Sequence, residues 1–146
     1  MIPIEQTSKP LMPVARAEAI AMLRFAQTAI SGHKVGAAVV ASNGENRKVF
    51  SGCNIELATS VNIHAERVAW IKAVSEGYTD IKVVVVTSTH EEQLAALCGA
   101  CRQDFMYINP DCLIQVVGLD GMIKLEVKLK DVMLYPYMGK GRLRQF

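Results

Sequence analysis

The run Ile81-Lys82-Val83-Val84-Val85-Val86-Thr87 constrains this chain more than any other stretch. It is rich in β-branched residues with almost no alternation, the pattern of a central strand covered on both faces. The flanking segments supply the cover. Around Met12–Ile30, the residues Ala15, Ala19, Met22, Leu23, Ala26 and Ile30 recur at helical spacing. Val35–Ala41 reads as a strand whose small residues suggest close approach of another element. Ser42–Asn46 is a turn, and Lys48–Cys53 returns as the second arm of a hairpin. Asn54–Asn62 reads as a loop. A buried helix from about Asn62 to Glu76 follows, stopped by Gly77. Beyond the central strand, Thr89–Leu97 is a loop or short helical segment. A third helix is expected from near Cys98 to before Asn109-Pro110. Leu113–Leu119 and Met122–Val127 read as strands about the turn Asp120-Gly121, with a short helix near Leu129–Leu134. Residues 1–10 read as an irregular arm and Gly139–Phe146 as a basic tail. This order predicts one α/β domain over residues 1–146, a sheet with helices packed on it.

Composition removes several partner classes. A net charge of +2 over 146 residues gives no reason to expect nucleic acid, and the chain lacks a basic, aromatic-interleaved surface for a single strand. No apolar stretch approaches the roughly 20 residues that span a bilayer. Met1-Ile2-Pro3-Ile4-Glu5-Gln6 has neither the basic start nor the apolar run of a signal peptide, so a reducing cytoplasmic setting is the expectation. There Cys53, Cys98, Cys101 and Cys112 are expected to stay free.

Two of those cysteines belong to Cys98-Gly99-Ala100-Cys101-Arg102-Gln103, and upstream stands His64-Ala65-Glu66-Arg67. Two sulfurs three residues apart at a helix start can reach one ion, and His64 would make a third ligand. Three protein ligands leave one tetrahedral position open, which marks a catalytic zinc rather than a structural one. Both motifs fall at predicted helix N-termini, where free N–H groups favour thiolate. Glu66 is the sharpest clue, because a carboxylate in an otherwise apolar helix is costly to bury without a task. Proton transfer to and from a metal-activated water supplies one. Arg67 or Arg102 would offset the negative charge of the site. Other readings of Cys98 and Cys101 are a thioredoxin-like redox pair or, with Cys53 or Cys112 as fourth ligand, a structural zinc site. Cys53 and Cys112 sit in apolar runs and read as small buried hydrophobes.

The His-x-Glu followed by Cys-x-x-Cys is the signature of zinc-dependent nucleobase deaminases. Taken with Val35-Gly36-Ala37-Ala38, Gly52-Cys53-Asn54-Ile55-Glu56 and Leu134-Tyr135-Pro136, it resembles the cytidine deaminase family over about Ala15 to Leu143. The resemblance implies a three-layer α/β/α sandwich around a mixed five-stranded sheet. It implies one Zn²⁺ per chain held by His64, Cys98 and Cys101, with Glu66 as proton shuttle. Asn54 and Glu56 would bind the ribose hydroxyls, and the Ala65 backbone would face the pyrimidine. The expected reaction is hydrolytic deamination of cytidine and deoxycytidine, and the expected assembly a homo-oligomer, tetramer rather than dimer.

The chain departs from the family pattern at several positions. Histidine at position 64 is typical of longer dimeric members, whereas short members have a third cysteine. Leu97 stands where proline precedes the first cysteine. His33 replaces a phenylalanine that packs against the substrate, Ile30 falls at a tyrosine-like position, and Lys34 replaces a proline. The loop from Glu56 to His64 is one residue shorter than in many members. These differences keep open a modified aminopyrimidine nucleoside, such as blasticidin S, with His33 as a candidate substrate contact. A zinc-stabilised binding module without turnover is the alternative from another class.

Overall fold

The computed structural model describes residues 8–59, 61–93 and 96–137. Of the expected irregular arm at residues 1–10, residues 1–7 lie outside them, as does the basic tail at 139–146, and the arm's described end enters a 3-10 turn at Lys9–Leu11. Five strands form one sheet in the order β2-β1-β3-β4-β5: β1 Val35–Ser42, β2 Arg47–Cys53, β3 Asp80–Ser88, β4 Leu113–Val117 and β5 Ile123–Lys128. The β3–β4 pair is parallel and the other three pairs are antiparallel, so the sheet is mixed. Three helices pack on it: α1 Met12–Met22, α2 Ala65–Ser75 and α3 Gly99–Ile108. The architecture is α/β.

Strand alternation sorts the core into two layers. Ala38, Val40, Val83, Val85 and Val117 pack with Ala15 and Ala19 of α1. Val39, Val84, Val86, Ile114 and Val116 pack with Ala69 and Ala73 of α2 and with Cys101 and Phe105 of α3. This is the expected three-layer arrangement, and β3 is the strand buried from both sides.

Two glycines set how closely the helices approach. A Cβ on Gly36 would lie 2.0 Å from the Ala19 carbonyl oxygen, so only glycine lets α1 sit this near β1. A Cβ on Gly52 would lie 2.7 Å from the Ala69 nitrogen and 2.8 Å from the Ala65 oxygen, which holds α2 hard against β2.

The first helix is shorter than its apolar spacing predicts. The α-helix ends at Met22 and a 3-10 turn covers Leu23–Phe25; Ala26 then turns extended, with ψ 132°. Tertiary pairing overrides local preference there. Gln27 bridges to Ile55, its N–H donating to the Asn54 carbonyl while its own carbonyl accepts the Glu56 N–H. Ile30, counted with the helical stripe, is 77% exposed. The stretch Asn54–Asn62 is likewise not plain loop, since Ile55 also bridges to Ile63. The short helix expected near Leu129–Leu134 is a single 3-10 turn, Leu129–Asp131.

Registers Val35↔Ser88 and Gly36↔Cys53 bring the start of β1 and the ends of β2 and β3 to one edge of the sheet. The chain leaves β2 toward α2 and β3 toward α3, so both helices begin near that edge. Carboxyl ends of parallel strands, with helix N-termini beside them, are where open α/β sheets place ligands.

Candidate active site

His64 and Cys98 are the N-cap residues of α2 and α3, each in extended backbone conformation. An N-cap side chain projects over the first turn, where unpaired N–H groups gather. Cys98 Sγ accepts the Cys101 N–H at 3.4 Å, which folds the Cys-x-x-Cys turn so that both sulfurs face the same way. His64 Nδ1 lies 3.2 Å from Cys98 Sγ and 3.5 Å from Cys101 Sγ, and all three donor atoms fall within 4.8 Å of one another. Tetrahedral zinc with Zn–S and Zn–N bonds of about 2.3 and 2.0 Å sets a sulfur–nitrogen separation of about 3.5 Å. The donor set fits the ion. Burial, followed by the nearby Glu66 and Cys98 charges, pushes the Cys101 thiol far above its usual range, so a thiolate there calls for a cation beside it. Zinc supplies that cation.

No fourth protein ligand joins the group among the described residues. Cys53 is a half-buried residue at the end of β2. Cys112 is buried, and its thiol points to the Leu113 carbonyl. Neither closes the site.

Beside the donor atoms opens a cavity of about 380 Å³, whose wall includes His33, Asn54, Glu56, Ala65 and Glu66 together with His64 and Cys98. The sequence-predicted site residues therefore converge on one space, with Cys101 behind it. Glu66 is 5% exposed, in the first turn of α2. Burial raises its carboxyl pKa, against the lowering pull of its own backbone N–H and of His64 and Arg67. A carboxyl held this way keeps a proton more readily than an exposed one.

Asn54 and Glu56 line the cavity and also brace its rim. Asn54 Oδ1 accepts the Val35 N–H at 2.9 Å, and its Nδ2 donates to the His33 carbonyl at 2.8 Å. The Glu56 carboxylate accepts the Ile30 N–H at 2.7 Å, the Ser31 N–H at 3.2 Å and the Ser31 hydroxyl. Those bonds hold its pKa below the ordinary carboxylate range, the Ser31 hydroxyl contributing most. Departure at Ile30 from the expected helix is thus part of building the site: Glu56 takes up N–H groups that a longer helix would have used internally.

The two arginines of the motifs have separate partners. Arg67 Nε donates to Asp104 Oδ2 at 2.6 Å, tying α2 to α3, and its guanidinium also feels the charges of Cys101 and Cys98. Arg102 Nε donates to the Ala96 carbonyl and Nη1 to the Val132 carbonyl. Of the two, Arg67 is the one placed to offset the thiolates. Leu97, at the position of the missing proline, has φ +65° while its side chain is buried. Proline is locked near −65° and could not adopt that backbone.

Sequence reasoning did not single out Ser88, Ser31 or Asn62, which also line the cavity, nor Asp104. A signal for Ser88 existed: the apolar run of β3 gives way to Thr87-Ser88-Thr89-His90 at the ligand-facing end of a strand. The partner of Arg67 carries no such local mark.

A family model described as the cytidine and deoxycytidylate deaminase zinc-binding region matches residues 12–113, which include His64, Glu66, Cys98 and Cys101. A probable cytidine deaminase of Dictyostelium discoideum is 42% identical over 81 residues, covering 55% of this chain and 53% of that protein. A cytidine deaminase of Sporosarcina psychrophila is 42% identical over 92 residues, covering 62% of this chain and 65% of its own length. The matched stretches thus span between about half and two thirds of these curated relatives. The crystal structure of a cytidine deaminase from Burkholderia pseudomallei matches with a TM-score of 0.73 at 30% identity, over 85% of this chain and 97% of that one. With ligands, cavity and fold all in agreement, the chain belongs to the cytidine and deoxycytidylate deaminase zinc-binding family.

Proposed function

We propose that this chain, acting as one catalytic domain, hydrolyses cytidine and deoxycytidine to uridine and deoxyuridine with release of ammonia. The observation that carries the reading is the convergence of His64, Cys98 and Cys101 with the buried carboxyl of Glu66 at one cavity. When bound, zinc supplies Lewis acidity that makes a water molecule a competent nucleophile near neutral pH. Glu66 takes a proton from the attacking water and delivers it to the ring nitrogen beside C4 of the pyrimidine. As the C4–oxygen bond forms, the ring gains a tetrahedral carbon. Glu66 then moves a second proton to the amino group, and the C4–nitrogen bond breaks to give ammonia. Burial of Glu66 holds its carboxyl above its ordinary range, which favours its carrying the proton between the two transfers.

Asn54, Glu56 and the backbone of Ala65 are the proposed nucleoside contacts. A sugar hydroxyl can replace Ser31 at the Glu56 carboxylate, since both offer an O–H to the same oxygen. The assembly is a homo-oligomer, a tetramer in preference to a dimer, working in the cytoplasm. No helix among the described residues is long and apolar enough to cross a membrane.

One observation supports a second reading. His33 puts an imidazole into the cavity wall where the family has an apolar ring. A modified aminopyrimidine nucleoside such as blasticidin S would meet that polar wall differently. Zinc-quantified protein should be given cytidine, deoxycytidine and blasticidin S, with ultraviolet change and ammonia release followed together. Turnover of the first two is expected. Selective turnover of blasticidin S would replace the substrate, and no turnover with one zinc per chain would replace the activity.

A further inference from the structure

His33 is restrained at every polar atom but one. Its N–H donates to Ser31 Oγ at 3.0 Å, and its carbonyl accepts from Asn54 Nδ2 at 2.8 Å. Its ring Nε2 lies 2.8 Å from Ser88 Oγ, and its ring packs on His90 with centroids 4.7 Å apart. A loop histidine without a task has no need of four restraints from four residues. The uncommitted atom is Nδ1, which has no hydrogen-bond partner among the described residues.

The surroundings also set the tautomer. Ser88 is buried, and its hydroxyl already accepts the His90 N–H at 3.0 Å. Its own proton has no other acceptor among the described residues than His33 Nε2. Leaving a buried hydroxyl proton unpaired costs about 1–3 kcal/mol, so Nε2 accepts and Nδ1 carries the ring proton. His33, part of the cavity wall, therefore carries an N–H donor with no partner among the described residues.

Its neighbour is an acceptor. Ser31 Oγ links the two residues, accepting the His33 N–H while donating to the Glu56 carboxylate. A carboxylate can only accept, whereas a sugar hydroxyl both donates and accepts. A hydroxyl that gives its proton to Glu56 needs a donor for its oxygen, and His33 offers one in the same wall.

We infer that His33 and Glu56 together read one ring hydroxyl of the nucleoside sugar, with Glu56 accepting its proton and His33 Nδ1–H donating to its oxygen. His33 is thus a specificity-determining residue for the sugar. This inference rests on the deaminase reading for its substrate class, but its test separates the two.

Wild-type, His33→Phe and His33→Asn proteins, each zinc-loaded, should be compared on cytidine, 2′-deoxycytidine and 3′-deoxycytidine. His33→Phe is expected to lower kcat/KM for cytidine about ten- to a hundredfold. The loss should shrink to under about threefold on whichever deoxy analogue lacks the recognised hydroxyl. His33→Asn places an amide N–H near the Nδ1 position and should recover most of the discrimination. Equal losses on all three nucleosides, or none, would overturn the inference while leaving deamination in place. Calorimetric binding of the same nucleosides to wild-type and His33→Phe protein repeats the comparison without turnover. Binding that depends on His33 and on a single hydroxyl, in a protein that deaminates none of them, would sink the deaminase reading alone. No His33-dependent difference in binding would sink the inference in that case too.

Discussion

The two faces of the sheet are built by the same device to different ends. On one face α1 presents the Ala19 backbone to Gly36 of β1; on the other, α2 presents the backbone of Ala65 and Ala69 to Gly52 of β2. Both contacts draw a helix backbone onto a strand more closely than any Cβ would allow. Yet α1 simply buries alanine on valine. The N-terminal ends of α2 and α3, by contrast, stand at the edge where β2 and β3 finish, carrying the metal donors and Glu66. Close packing on the first face supplies stability. On the second it also sets the position of reacting groups, so the same small error in packing is felt in chemistry.

The largest effect that separates the faces is expected at Glu66 itself. Glu66→Gln keeps shape and burial while removing the proposed proton shuttle, so turnover should fall by roughly a thousandfold or more with one zinc still bound per chain. Metal content and steady-state kinetics on the same sample decide it. A variant that turns over at the wild-type rate removes Glu66 from the mechanism, and the buried carboxyl is then only a structural cost.

Next come the two glycines, which test the comparison directly. Gly52→Ala forces its Cβ against the backbone of Ala65 and Ala69, and α2 must move away from β2. Overpacking of this kind costs about 1–3 kcal/mol. Because His64 and Glu66 flank Ala65, zinc affinity and turnover should fall with stability, by at least about tenfold each. Gly36→Ala drives its Cβ onto the Ala19 carbonyl of α1 and should cost a similar stability, with zinc affinity and the rate per folded molecule within about twofold of wild type. Thermal unfolding, chelator competition and kinetics on both variants read this out. If Gly36→Ala damaged the metal site as much as Gly52→Ala, the faces would not be independent.

How much of this was legible beforehand follows the range over which each cause acts. The central strand, the order of elements and the three metal donors were legible, because β-branched runs and short motifs are local patterns. Cys98 and Cys101 declare each other across one helical turn, and His64 with Glu66 across two residues. The end of α1 was not legible, because Ala26 leaves the helix for pairing with the segment around Ile55, a competitor invisible in residues 12–30. Nor did the sequence reveal that Asn54 and Glu56 hold the Ile30–Val35 rim as well as lining the cavity. Leu97 shows the same limit from another side. Its place as an exception to a motif was visible, but the left-handed backbone that makes proline impossible there was not. Long-range partners escape a linear reading; local chemistry does not.

The smallest effect concerns how α2 and α3 are held to each other once both sit on the sheet. Beyond the metal donors His64, Cys98 and Cys101, the Arg67–Asp104 ion pair and Trp70 against Phe105, with ring centroids 6.0 Å apart, join them. The paired side chains are 28% and 31% exposed, so solvent screens much of their attraction, and such pairs are worth at most about 1 kcal/mol. Asp104→Asn, which keeps the shape and removes the charge, should therefore cost under about 1 kcal/mol, shrinking further in high salt. A double-mutant cycle of Arg67→Met with Asp104→Asn, measured by denaturant unfolding of the zinc-loaded protein, isolates the pair from the thiolate charges that Arg67 also feels. A coupling of several tenths of a kcal/mol that fades with salt would make the ion pair a real cross-brace between the ligand-bearing helices. Zero coupling would leave the aromatic contact and the shared metal donors to hold the two helices together, and Arg67 would then act only on the thiolates.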